Sequence, residues 1–195
     1  MRVGVLALQG DFDAHRRRLE ELGAEVVLVR KPEQLDELDA LIIPGGESST
    51  FLWHLEQTGF LQKLAQFVRS RPTFGTCAGA ILLASEVSNP PQKSLSVMNI
   101  AIERNAYGRQ VNSFIGELKW SLGGEPLEAV FIRAPKITHV GSEVEVLARE
   151  GNDPVLVRQG YLMAATFHPE LSADTRVHEA FLELARNRTA QKIQN

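Results

Sequence analysis

One cysteine in 195 residues excludes an internal disulfide and fits a reducing compartment. Positive charge is not in excess. Lys and Arg number 21 against 24 Asp and Glu, so no basic surface offers itself to nucleic acid or to an anionic membrane. No apolar run approaches the ~20 residues that span a bilayer, and the opening Met1-Arg2-Val3-Gly4-Val5-Leu6 runs into a strand pattern without the layout of a signal peptide. The cytoplasm is the expected location, where the sequon Asn187-Arg188-Thr189 has no use. There is no G-x-x-x-x-G-K-[ST] phosphate loop, which weakens a phosphate-binding reading, and no metal-ligand cluster, so no metal is expected. Repeats, low-complexity segments and linker-like shifts of composition are also missing. A single domain over 1–195 is expected, long enough to bury its own core.

What is present first is alternation. Residues 3–8 predict a buried strand, and Asp11 caps a helix to about Leu22 with Phe12, His15, Leu19 and Leu22 on one stripe. A strand over 25–29, a short helix over 32–38 and a strand over 40–43 follow. Helices over 48–57 and 60–70 part at Gly59, and Thr73-Phe74 forms a short strand leading to Cys77 and a helix from Ala78. This order predicts a parallel sheet with helices on both faces. Later the pattern turns to short strands, over 97–103, 111–118, 129–132, 143–149, 154–158 and 161–167. Residues 88–96 have the least ordered character. A closing helix over 173–188 turns Val177, Phe181, Leu184 and Ala185 inward, and the polar stretch 189–195 is expected to fray.

The lone cysteine sits in Gly75-Thr76-Cys77-Ala78-Gly79. G-x-C-x-G has the spacing of a nucleophile elbow, where a strand turns sharply into a helix and backbones pass closely enough to need small residues. A thiol there stands at the positive end of a helix dipole, which favours thiolate. Taken alone, Cys77 reads equally well as a buried packing residue. A nucleophilic thiol also needs a base, and a third group to orient that base. His15 and His178 fall in predicted helices as packing or surface residues, His54 follows Glu47 on a helix, and His139 falls in a turn. His168 ends an apolar strand and opens His168-Pro169-Glu170. Extended backbone around Pro169 points residues 168 and 170 the same way, so Glu170 can hold one ring nitrogen while the other faces Cys77. The alternative is a satisfied histidine at a strand end. Sites in doubly wound sheets gather at the carboxyl ends of strands, where Pro44-Gly45-Gly46-Glu47-Ser48 also lies. The backbone N–H groups of Gly46 and Ala78 are candidate oxyanion donors. The alternative for this loop is a plain Gly-Gly turn with a helix cap.

Pro44-Gly45-Gly46-Glu47, Gly75-Thr76-Cys77-Ala78-Gly79 and His168-Pro169-Glu170 together resemble the class I, triad-type glutamine amidotransferases. The chain is more closely similar to the glutaminase subunits of pyridoxal 5′-phosphate synthase. That resemblance rests on Gly4-Val5-Leu6-Ala7-Leu8-Gln9-Gly10, Ile42-Ile43-Pro44-Gly45-Gly46-Glu47-Ser48 and Arg104-Asn105-Ala106-Tyr107-Gly108-Arg109-Gln110. Phe131-Ile132-Arg133-Ala134-Pro135 and Ala165-Thr166-Phe167-His168-Pro169-Glu170-Leu171 complete it. The triad motifs belong to the whole superfamily, whereas the R-N-A-x-G-R-Q and F-I-R-A-P blocks separate this subfamily. Ser49 stands where threonine is common and Asn99 where the family usually has aspartate; neither touches the triad.

The resemblance implies a flavodoxin-like three-layer α/β/α fold with a mostly parallel central sheet and added antiparallel strands in the second half. It implies hydrolysis of L-glutamine to L-glutamate and ammonia, with Cys77 as nucleophile, His168 as base and Glu170 as its orienter. Gly46, Glu47, Ser48, Arg104, Ile132 and Arg133 match the substrate contacts. Without the resemblance, Arg104 reads as a solvated strand residue and Arg133 as a partner in a salt bridge of the fold. The implied partner is a (βα)8-barrel synthase that receives the ammonia and builds pyridoxal 5′-phosphate, in a complex of twelve subunits of each kind. The glutaminase is expected to be weak until that partner docks, and Gly45-Gly46 can rotate its peptide freely enough to withhold an oxyanion donor until then. The rivals are a stand-alone cysteine hydrolase of γ-glutamyl substrates, a glutaminase subunit of another biosynthetic amidotransferase, and a binding module with a degenerate site.

Overall fold

A computed structural model of the chain describes residues 1–106 and 113–193. Its first half alternates strictly. Strand β1 (Arg2–Leu6), helix α1 (Phe12–Glu21), strand β2 (Glu25–Val29), a 3-10 turn (Pro32–Glu37) and strand β3 (Ala40–Ile43) are followed by helices α2 (Ser48–Gln57) and α3 (Phe60–Val68) and strand β4 (Thr73–Thr76). Local chemistry sets these limits. The Asp11 carboxylate accepts the Ala14 N–H at 3.2 Å and starts α1. Gly59, at φ 73°, takes a left-handed turn that parts α2 from α3.

The second half comprises helix α4 (Ala78–Leu83), strands β5 (Ala84–Ser88), β6 (Met98–Glu103), β7 (Ser113–Leu118), β8 (Leu127–Ile132), β9 (Lys136–Val140), β10 (Glu145–Glu150), β11 (Asp153–Gln159) and β12 (Leu162–Ala165), a 3-10 turn (Pro169–Leu171) and helix α5 (Arg176–Ile193). The main sheet has seven strands in the order β10-β11-β12-β4-β3-β1-β2. From β12 to β2 all neighbours are parallel, while β10 and β11 add an antiparallel edge. The parallel part has the flavodoxin-like order, in which strands run to both sides of a switch between β1 and β3. Strands β5, β6 and β9 form a second sheet, and β7 and β8 an antiparallel hairpin.

Alternation along the buried strands divides the core in two. Leu41 and Ile43 pack with Phe51, Leu55, Phe60, Leu64 and Leu82 from α2, α3 and α4. Ile42 and Phe74 face the other way, onto Leu19 of α1 and Val177, Phe181 and Ala185 of α5. Each such side chain, fully removed from water, contributes about 1.5–3 kcal/mol. Two layers of helices therefore clamp the sheet and leave its carboxyl edge open.

Four expectations change. Helix α4 stops at Leu83, because Ala84 enters β5 and pairs with Met98 of β6. His139 lies on strand β9 opposite Ala101, not in a turn. Helix α5 starts at Arg176, three residues later than expected, and its backbone continues to Ile193, over most of the stretch expected to fray. In the sequence block that begins at Arg104, residues 107–110 lie outside the described residues, as do 111–112 of a predicted strand and 194–195 of the tail.

Candidate active site

Three parallel strands deliver the site. Ile43 is in register with Gly75, and Thr76 with Ala165, so the loops after β3, β4 and β12 leave the sheet side by side. The Cys77 N–H donates to the Ala165 carbonyl at 2.8 Å and carries the pairing one residue past β4. Cys77 itself has φ 49° and ψ −104°, a conformation costly for any residue with a side chain, and α4 begins at the next position. The flanking glycines are required by space. A Cβ on Gly75 would lie 2.5 Å from the Gly79 carbonyl, and one on Gly79 would lie 2.0 Å from the Ile43 carbonyl oxygen. The elbow seen in the sequence is a turn through which no larger side chains would pass.

His168 hangs from the next strand end, its N–H bonded to the Val130 carbonyl at 2.8 Å. His168 Nδ1 meets Glu170 Oε1 at 2.7 Å. The pairing expected from extended backbone is present but is made differently. Pro169–Leu171 is a single 3-10 turn with Pro169 in its first position, which swings Glu170 back under the ring. Burial pushes the His168 imidazole down, yet hydrogen bonding with Cys77 and Glu170 outweighs it and raises the pKa to about 10. Nδ1 is taken by Glu170, which leaves Nε2 as the ring nitrogen for the hydrogen bond with Cys77. Glu170 is 2% exposed. Burial pushes its carboxyl up, but the electrostatic pull of His15 and the hydrogen bond and charge of His168 hold it below the usual range.

The loop after β3 presses on this pair. A Cβ on Gly45 would lie 2.6 Å from His168 Cε1 and 3.3 Å from Cys77 Cβ. Gly46 has φ 131° and packs against Gln9, whose Nε2 donates to the Glu47 carbonyl at 3.0 Å. Glu47 caps α2 by accepting from the N–H groups of Ser49 and Thr50 at 3.1 and 2.7 Å. Arg104, just past β6, donates from Nη2 to Glu47 Oε1 at 3.2 Å and to Ser49 Oγ at 2.7 Å. It is half-buried and paired, not a solvated strand residue. The Ser48 hydroxyl donates to Gln92 Oε1 at 2.9 Å, so the least ordered-looking stretch of the sequence supplies a brace for the loop.

Gly46, Glu47, Ser48, Cys77, Arg104, Ile132, Arg133 and His168 line one open cleft of about 300 Å³. Every residue expected to touch substrate is among them. Glu170 stands behind His168, and Ala78 is buried directly after Cys77. Ile81, Asn105 and Pro135 also line the cleft, although only their places beside Cys77, Arg104 and Arg133 mark them in the sequence. Gln9 and Gln92 carry no chemical signal of their own; their partners are distant in the chain. His15 and His178 lie fully buried beneath Thr76, on the side of the sheet covered by α1 and α5.

The fold and the site together define a class: a doubly wound α/β protein with a cysteine elbow and a histidine–glutamate pair at the carboxyl ends of adjacent parallel strands. Within it, the chain belongs to the SNO glutamine amidotransferase family, whose model matches residues 5–187, and it is therefore an enzyme of the glutaminase type. The pyridoxal 5′-phosphate synthase subunit PdxT of Koribacter versatilis (strain Ellin345) is 61% identical over 187 residues, 96% of this chain and 97% of that protein. The subunit of the same name from Thermosipho africanus (strain TCF52B) is 50% identical over 95% of this chain and 100% of that protein. A crystal structure of a glutamine amidotransferase, 50% identical, superposes with a TM-score of 0.88 over 94% of this chain and 98% of that chain. The structure of PurLQS from Thermotoga maritima, 16% identical with a TM-score of 0.71 over 93% and 97% of the two chains, shares the fold. Among the described residues no helix is long and apolar enough to cross a membrane.

Proposed function

We propose that the chain hydrolyses L-glutamine to L-glutamate and ammonia through a γ-glutamyl thioester on Cys77, and that the ammonia passes to a pyridoxal 5′-phosphate synthase. The convergence of Cys77, His168 and Glu170 at adjoining strand ends carries the chemical half of this reading. The two relatives above, both named as subunits of that synthase, carry the partner half.

His168 draws the thiol proton, and the Cys77 sulfur attacks the side-chain amide carbon of glutamine, so the carbonyl π electrons move onto oxygen. The N–H groups of Gly46 and Ala78 receive that oxyanion, each donor worth about 2.7–4 kcal/mol in comparable sites. As the tetrahedral centre collapses, the C–N bond breaks and the proton on His168 leaves with ammonia. Water then gives a proton to His168 and attacks the thioester, and glutamate departs as the thiol is restored. The proton drawn from the thiol is the one that the leaving group needs, and a pKa raised to about 10 keeps it on the His168 ring until then. Arg104 or Arg133 pairs with the substrate α-carboxylate, and Glu47, Ser48 and Ile132 complete its seat.

The chemistry needs no cofactor and no metal. The partner is a (βα)8 barrel, assembled with this chain as twelve subunits of each kind in the cytoplasm. Rotation of the Gly45–Gly46 peptide supplies or withholds one oxyanion donor, so hydrolysis waits for docking. Ammonia release from L-glutamine, followed with and without the synthase barrel and beside Cys77→Ala, tests the whole. Release should rise with the barrel and vanish in the variant. Strong release without the barrel would point instead to a stand-alone hydrolase of γ-glutamyl substrates. No release from the folded chain under either condition would overturn the reading.

A further inference from the structure

Two buried histidines have no part in the hydrolysis just described. His15 of α1 and His178 of α5 are both fully buried, and together they run from the body of the molecule to the back of Glu170. Glu170 Oε1 is occupied by His168, while Oε2, buried and without a hydrogen-bond partner, stands 3.4 Å from His15 Nε2. The same His15 Nε2 is 3.2 Å from the Thr76 hydroxyl oxygen, and Thr76 is the residue before the nucleophile. His15 Nδ1 is 3.0 Å from His178 Nε2, and His178 Nδ1 is buried without a partner.

Only one arrangement of protons suits this row when both rings are neutral. With hydrogen on His15 Nε2, the ring donates into the gap between Thr76 Oγ1 and Glu170 Oε2, and its Nδ1 accepts the N–H of His178 Nε2. The atom left over is a bare acceptor on His178 Nδ1. The reverse arrangement would bury an orphan N–H at His178 and set the lone pair of His15 Nε2 against a carboxylate oxygen, which is repulsive.

We infer that His15 is a positioning residue for the triad: its Nε2–H ties the free oxygen of Glu170 to Thr76 on the strand that ends in Cys77, and His178 fixes the tautomer that makes this possible. The inference rests on the glutaminase reading and deepens it. Glu170 orients His168, and His15 orients Glu170 relative to the nucleophile's own strand. None of His15, Thr76 and His178 lines the substrate cleft. Their influence therefore falls on the chemical step and not on glutamine binding. The titratable groups acting on His15 and His178 are Glu170, His168, Asp11 and Arg18.

The test compares wild type, His15→Leu and His15→Gln as full chains with the synthase barrel present. His15→Leu keeps bulk and loses the donor, whereas His15→Gln keeps an N–H near the position of Nε2. His15→Leu should lower kcat by about 10- to 100-fold, the scale of a misplaced catalytic group, with KM changed little. Its acid limb in kcat should move to higher pH, because Glu170 would protonate more readily. His15→Gln should recover most of the loss. A folded His15→Leu with wild-type kcat, or a loss that His15→Gln fails to recover at equal thermal stability, would overturn the inference. Should His15→Leu fail to fold, His178→Phe serves: a fall in kcat at unchanged KM supports the row, and an unchanged kcat overturns it. A wild-type chain that releases no ammonia beside the barrel would overturn the glutaminase reading, and this inference with it.

Discussion

Around Cys77 the backbone leaves no spare volume, and glycine is the residue that records this. Gly45 is the most exposed to test, because the atom that its Cβ would strike at 2.6 Å belongs to the imidazole of His168, the proposed base, and not to the backbone. Gly45→Ala should therefore leave the fold near wild-type stability while pushing the His168 ring aside. Glutamine hydrolysis should fall about 100-fold in kcat, as for a misplacement on the order of 1 Å. Steady-state kinetics beside a thermal melt separate these effects; full activity would mean that the ring moves without cost. The convergence of Cys77, His168 and Glu170 is legible because the three sit in motifs with fixed spacing: Cys77 between Gly75 and Gly79, and Glu170 two residues from His168. What joins His168 to Glu170 was not legible, since a proline can serve extended chain or a 3-10 turn equally well. Nor was the burial of His15 and His178, because a histidine on a predicted helix stripe shows no sign of what the opposite helix brings to it.

Helix α2 shows how an element can serve the site through its first turn. Glu47 is both the cap of α2 and the acceptor of Arg104, so one carboxylate sets the helix start and a cleft arginine. Glu47→Ala should cost about 0.5–2 kcal/mol of stability through the lost cap. It should also raise KM for glutamine, because Arg104 loses its brace. Urea unfolding and kinetics measure the two separately, and an unchanged KM would remove Arg104 and Glu47 from the substrate contacts. At this scale β2, β3 and α2 follow the sequence residue for residue, because period and punctuation agree: Gly23 precedes β2, Pro44-Gly45 closes β3 and Gly59 closes α2. The second half resisted. The run Ala80-Ile81-Leu82-Leu83-Ala84 looks like continuing helix, and pairing with β6 alone turns its end into β5. Strand β9 is five residues of mixed character, defined by its partner β6 and by no periodicity of its own.

For the whole molecule, the buried histidines link the site to acid stability. Burial lowers the His178 pKa to about 3 from an ordinary 6.5, and burial likewise lowers His15. In the unfolded chain both bind protons near pH 6.5, and in the folded chain they do not. The stabilising contribution of His178 is thus full above pH 6.5 and is lost as pH falls towards 3, and that of His15 is lost in the same direction. His168 has the opposite sign. Raised to about 10, it contributes fully below pH 6.5, and that contribution is lost as pH climbs through 10. Stability should peak close to neutrality, with urea midpoints falling on both sides. His178→Phe should flatten the acid side and leave the alkaline side as it is; an acid slope unchanged in the variant would remove His178 from the linkage. The central claim concerns more than one molecule, since it holds that ammonia formed at Cys77 passes to a synthase. The most direct measurement supplies glutamine carrying heavy nitrogen in its amide, with the synthase barrel, its phosphosugar substrates and excess unlabelled ammonium. Heavy nitrogen in the pyridoxal 5′-phosphate formed by the wild-type pair, and only light nitrogen with Cys77→Ala, is the predicted result. Product labelled no more by wild type than by Cys77→Ala would contradict it.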